Sequence, residues 1–260
     1  MTETALDRAH AAMDDAPEDD AKRLAFYEAF ADSELFLLLS GEAEGEQVTP
    51  ALFTLEGGDY ALVFDSEDRL AEFTKRPAPY AGVPGRGLAQ MLTGQGIGLA
   101  LNLEVAPSAM LIPSEAVDWL VATLAHAPEE TSGRLTSLNA PTGIPVNVRD
   151  ALARKLSLAA GLAQRAYLAA ATYDSGTQGH VLVFVDAVDR AERGLVTAAS
   201  EALTFSGIEA GTIDVLFCAG TDPLVERLER VALRFDLPQP QERPARAAPG
   251  SDPDKPPRLR

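Results

Sequence analysis

The sequence predicts an α+β protein of two domains, and three observations carry that prediction. Residues 96–125, GIGLALNLEVAPSAMLIPSEAVDWLVATLA, read as strand, tight turn, strand, cap and helix. Residues 127–145 then lose all sustained apolar patterning and are dense in Pro, Gly, Ser and Thr, as a linker is. Beyond them the elements run β-α-β-β-α-β-α, and the first six match the split βαβ, ferredoxin-like pattern. A length of 260 residues suits two domains at roughly 100–200 residues each. The expected division is residues 1–128 for the first domain, 129–143 for the linker, 144–237 for the second domain and 238–260 for a tail.

In the first half, Thr4 followed by Asp7 forms a capping box for a helix over residues 2–13, with Leu6, Ala9 and Met13 on one face. Pro17 stands near the start of a second helix reaching Ala31, with Leu24, Tyr27, Phe30 and Ala31 inward. Residues 34–40, ELFLLLS, make a nearly unbroken apolar run of strand length. Gly57-Gly58 between two apolar runs signals a hairpin over residues 50–65. Ser66 caps a short helix over 67–73, a short strand is expected at 80–83, and residues 87–92 form a helical turn. Ile97, Leu99, Leu101 and Leu103 then alternate with smaller or polar residues, the period of a half-buried strand. Ser114 offers a cap, and Val117, Leu120, Val121 and Leu124 follow at helical spacing.

In the second half, residues 144–148 read as a short strand and 150–160 as a helix with Leu152, Leu156 and Ala159 inward. Residues 166–173 and 181–187 are strands around a turn-rich loop. Asp189 with Glu192 suggests a capping box for a helix to Phe205, residues 213–219 form a buried strand, and Asp222-Pro223 opens the last helix. From Pro238 the chain is rich in Pro, Ala and Arg with no apolar period, which predicts disorder.

Composition limits the function. The net charge of -17 repels phosphate, which sets aside nucleic acid and anionic membrane surfaces. A lone cysteine, Cys218, excludes an internal disulfide and fits a reducing cytoplasm, and no secretory signal or membrane span is legible. Gly94-Gln95-Gly96-Ile97-Gly98 resembles a phosphate loop, but it precedes a strand instead of opening a helix and reads as a turn. His10, His126 and His180 fall in different elements without metal-ligand spacing. Cys218 sits in an apolar strand as a small core residue, and Ser132 has no nucleophile-elbow context. Trp119, the only tryptophan, lies beside its helix's apolar stripe, where it covers the rim of the core or borders a partner groove. No residue is assigned a catalytic, cofactor-binding or metal-binding role, and no cofactor is expected.

Two segments carry a family resemblance. PALFTLEGGDYALVFDSEDRLAEF with GLALNLEVAPSAMLIPSEAVDWL resembles the N-terminal domain of the SseB family, the bacterial proteins named for enhanced serine sensitivity. RAYLAAATY followed by HVLVFVDA resembles that family's C-terminal domain. The resemblance spans roughly residues 20–235 and rests on apolar patterns and turns. It implies no catalytic motif. The expectation is a non-enzymatic cytoplasmic protein that acts through a protein partner or in amino-acid-linked regulation; the alternative is a ligand sensor or enzyme with its site in the interdomain cleft.

Overall fold

The computed structural model describes residues 3–42, 48–55, 58–125, 133–207 and 213–239. The described residues are mixed α and β, 40% helix and 29% strand, in two sheets. The first half begins with α1 (Ala5–Asp14), α2 (Asp20–Asp32), β1 (Glu34–Leu38), β2 (Leu52–Leu55), β3 (Gly58–Phe64) and α3 (Glu67–Thr74). It continues with β4 (Tyr80–Pro84), α4 (Gly85–Leu92), β5 (Ile97–Leu101), β6 (Met110–Ile112) and α5 (Ser114–Leu124). Its sheet runs β4-β1-β3-β5-β6, and β2 pairs with the first part of β3. β3 is antiparallel to β1 and β2 and parallel to β5.

Strand alternation divides this sheet between two cores. Leu35, Leu37, Ala61, Val63, Leu99 and Leu101 face α1, α2, α4 and α5, where Leu6, Phe26, Phe30, Leu88, Val117 and Leu120 meet them. Leu38, Leu62, Phe64 and Ala100 face the other way, onto Leu70 and Phe73 of α3. Burying a residue such as Phe30 stabilises by about 1.5–3 kcal/mol. The first turn of α4 lies against the end of α2, and a Cβ on Gly85 would stand 1.9 Å from the Phe30 carbonyl oxygen. Only glycine fits there.

The second half contains β7 (Leu135–Asn139), α6 (Val146–Ser157), β8 (Arg165–Tyr173), β9 (Gln178–Val185), a 3-10 turn at Asp189–Ala191 and α7 (Glu192–Thr204). β10 (Ile213–Cys218), α8 (Pro223–Val231) and β11 (Leu233–Asp236) complete it. The sheet order is β10-β9-β8-β11, with β7 also on β8. Leu168, Leu182 and Phe184 face α6 and α7, while Tyr167, Val181 and Val183 face α8.

A ferredoxin-like second domain is not confirmed. That pattern needs the first strand inside the sheet, parallel to the third. Here β7 pairs with β8, antiparallel, and β9 takes β10 as its parallel neighbour. Three local expectations are also revised. Residues 146–148 begin α6 instead of forming a strand, because Pro145 supplies its N-cap backbone. β7 lies within the stretch read as linker. α7 has no side-chain cap, because Asp189 falls in the preceding 3-10 turn. The caps at Thr4, Ser66 and Asp222 form as read. At α5 the N-cap is Pro113 and Ser114 is the first helical residue. Of the tail, only Pro238 and Gln239 are among the described residues.

Candidate functional site

The helix layers of the two halves face each other, and their charged residues meet across the seam. Asp32 ends α2, Arg86 opens α4, Lys155 lies in the last turn of α6, and Glu201 lies late in α7. Arg86 Nη2 donates to Asp32 Oδ1 at 2.6 Å, and Lys155 Nζ donates to Asp32 Oδ2 at 2.6 Å. Lys155 Nζ stands 2.9 Å from Glu201 Oε2, and Arg86 Nη1 donates to Glu201 Oε1 at 3.0 Å. The four side chains close a ring of alternating charge that crosses the seam twice. Lys155 is only 5% exposed.

Glu28 of α2 sits outside the ring, hydrogen-bonded to Arg154 at 3.3 Å. Its buried Oε1 has no hydrogen-bond partner; Lys155 Nζ is 3.7 Å away. Burial pushes the Glu28 carboxyl above its ordinary value, against the pull of Lys155 and Arg154. Glu201 goes the other way. Burial acts to raise it, but hydrogen bonds from Arg86 and Lys155 prevail and hold it lower. Burial acts to lower Lys155, and Asp32 and Glu201 outweigh it, so the ammonium stays charged.

Apolar residues adjoin the ring. Trp119 packs edge-on against Tyr27 of its own half and Phe205 of the other, at centroid distances of 5.2 and 6.5 Å. At 40% exposure it covers the rim of the core and borders the seam at once. An open groove of ≈ 720 Å³ also runs along the seam, lined by residues 16–21, Asn147 and Gly207. Its Glu18, Asp19 and Asp20 present carboxylates to solvent.

A second charged cluster lies wholly inside the first half. Arg69 of α3 binds Asp65 at 2.7 Å and also binds Asp7 of α1. Ser108 Oγ donates to Asp7 at 2.6 Å and accepts from Asn102 Nδ2 at 3.0 Å. Burial pushes the Asp7 carboxyl up, but hydrogen bonds from Arg69, Ser108 and Thr4 together hold it well below the usual carboxylate range. This network joins α1, α3 and the strand ends.

The residues singled out in the sequence are scattered. Gly94 and Gly96 have φ of 73° and 68°, so the glycine segment is a turn, and Asp118 accepts from Thr93 Oγ1 at 2.6 Å and Gly94 N at 2.9 Å to hold it. His10 stands beside Asp14 at 3.5 Å and His180 beside the Thr142 carbonyl at 3.1 Å; His126 and Ser132 lie outside the described residues. Burial, with Asp222 and Asp186, pushes the Cys218 thiol up, which keeps it protonated. Among the described residues no His, Cys, Asp and Glu group is placed to hold a metal ion. No helix among them is long and apolar enough to cross a membrane.

The surface carries one feature absent from the sequence reading. β2 is exposed along its whole length, with Leu52 at 46% and Phe53 at 45%. The Ala51 carbonyl accepts from Leu62 N, so ladder alternation turns the backbone groups of Phe53 and Leu55 toward β3 and those of Leu52 and Thr54 outward. Among the described residues β2 pairs with β3 alone. An apolar strand edge is left open.

Fold and seam together define a protein of two facing helix-and-sheet halves whose buried charges neutralise one another. A family model described as SseB protein N-terminal domain matches residues 6–119, so the first half of the chain is similar to that domain. No curated protein matches the chain, and no solved structure does.

Proposed function

We propose that the protein is a non-enzymatic, cytoplasmic binding protein of two domains that captures an extended segment of another polypeptide. One observation carries this reading: among the described residues the outer edge of β2 is open, with the backbone groups of Leu52 and Thr54 turned outward and Leu52, Phe53 and Leu55 exposing apolar side chains. A strand added there would gain main-chain hydrogen bonds, with alternate side chains for specificity. The net charge of -17 favours a partner segment that carries basic residues, and argues against a second copy, nucleic acid or an anionic membrane. The resemblance of residues 165–187 to the family's C-terminal domain supports a full SseB-type architecture, and the family's name implies a link to serine sensitivity.

The test is site-specific photo-cross-linking in cells with a photoreactive residue at Phe53, and at exposed Leu158 as a control. A discrete adduct with one protein should form at position 53 only. Thr54→Pro removes an outward N–H while leaving the β3 ladder intact, and should abolish the adduct with little change in Tm. Equal adducts at both positions, or an adduct indifferent to Thr54→Pro, would sink the reading. The rival, a small-ligand site in the cleft, is favoured by the open groove beside Asn147 and Gly207. A thermal shift with serine or another amino acid would support it; a ligand at 100 times its Kd raises stability by about 2.7 kcal/mol.

A further inference from the structure

The two halves follow one plan. In the first, α2 leads into β1, β1 pairs antiparallel with β3, and α4 leads into β5, which is parallel to β3. In the second, α6 leads into β8, β8 pairs antiparallel with β9, and α7 leads into β10, which is parallel to β9. α2 packs on α4, and α6 on α7, each pair covering one face of its sheet. α3 and α8 cover the opposite faces. The seam therefore joins equivalent layers, α2 and α4 against α6 and α7.

The corresponding helices carry opposite charges. α2 offers Glu28 and Asp32 where α6 offers Arg154 and Lys155, and α4 offers Arg86 where α7 offers Glu201. Putting a second first half in place of the second half would put Glu28 and Asp32 on the helix that now carries Arg154 and Lys155, and Arg86 on the helix that now carries Glu201. The charges that now neutralise one another at both crossings would be lost, and each helix would face one carrying the same sign. We propose that the Asp32–Arg86–Lys155–Glu201 ring is a pairing code: it makes the two layers complementary to each other and repulsive to their own kind. The chain thereby closes on itself in one orientation, and neither layer pairs with the same layer of another copy.

The ring permits a decisive reversal. Asp32→Lys with Arg86→Glu preserves the attraction within the first half but makes both crossings repulsive. Lys155→Glu with Glu201→Lys does the same from the second half. Combining all four restores attraction at every contact. The experiment uses the full chain in a Glu28→Gln, Cys218→Ser background, with spin labels at Leu111→Cys and Val188→Cys, and reads the distance distribution between the halves. The background should give one narrow distance. Each half-reversal should broaden and lengthen it, and the fourfold change should return the narrow distribution. A half-reversal that leaves the distance unchanged overturns the code, as does a fourfold variant more open than either half-reversal. If a half-reversed chain fails to fold, Arg86→Gln and Glu201→Gln replace it. Each alone should broaden the distribution and the pair together should do no more than either; additive broadening overturns the proposal.

Discussion

Arg69 shows how much one buried side chain can control. Among the described residues it is the only cation that meets Asp7 and Asp65, so Arg69→Met should cost about 3–5 kcal/mol in denaturant unfolding by stranding two buried carboxylates. Asp7 ties the same network to acid stability. Its folded-state pKa lies below the ordinary 3.8, so its contribution is fully present above that value and is lost as pH falls below it. Glu28 has the opposite sign. Its folded-state pKa lies above the ordinary 4.5, so its charge opposes folding at neutral pH and that opposition fades as pH falls toward 4.5. Glu28→Gln should therefore equal or exceed the parent stability at pH 7, and the advantage should shrink between pH 7 and 4.5 when both unfolding curves are measured. Of these residues the sequence disclosed only the Thr4–Asp7 capping box, because its partners stand three positions apart. Arg69 is 62 positions from Asp7, and Ser108 is 101 away, so no spacing pointed to their meeting.

Among the elements, α5 behaves as its stripe indicates. Val117 and Leu120 are buried, and Leu120→Ala should cost about 2–5 kcal/mol through lost transfer energy and a residual cavity. Asp118 on the other side holds the glycine turn, so Asp118→Ala should cost less than Leu120→Ala and show itself as faster amide exchange at Gly94. Such helices were legible because one side faces solvent and the apolar period stands out. α2 was legible in part. Tyr27, Phe30 and Ala31 of its stripe are buried and Leu24 packs against the core, as read; but α2 lies between its own sheet and the helices of the other half, so Phe26 and Glu28 are buried as well. Glu28 and Asp32 stand off that stripe, and no spacing in the sequence pointed to Arg154 or Lys155, 126 and 123 positions away. β7 was hidden in the linker composition, since Leu135, Thr136 and Ser137 give too short a pattern to outweigh the Pro and Gly around them. The hairpin signal at Gly57-Gly58 located β2 and β3, but nothing in it told which of the two would be left open.

Taken whole, the molecule is two sheets joined through their helix layers, and β7 pairs into the second of them. Leu135 and Leu138 pack onto the face of β8 and β9 that α8 covers. Residues 133–239 should therefore melt about 5 °C or more above residues 143–239 when each is expressed alone, since roughly 1 kcal/mol moves the Tm of a 60–100-residue domain by 4–8 °C. Equal melting would mean that β7 adds nothing to the second sheet. The seam also orders events in time. Asp32 waits for Lys155, which is 123 positions further along, and Arg86 waits for Glu201, 115 positions on. During synthesis at about 5–20 residues per second, the first half leaves the ribosome several seconds before its counterpart exists. Through that interval Asp32 and Arg86 have only each other, and the α2 face that the second half will cover stays in water. A nascent chain halted before Lys155 is the natural state in which to find that surface bare, and a chaperone would meet it there.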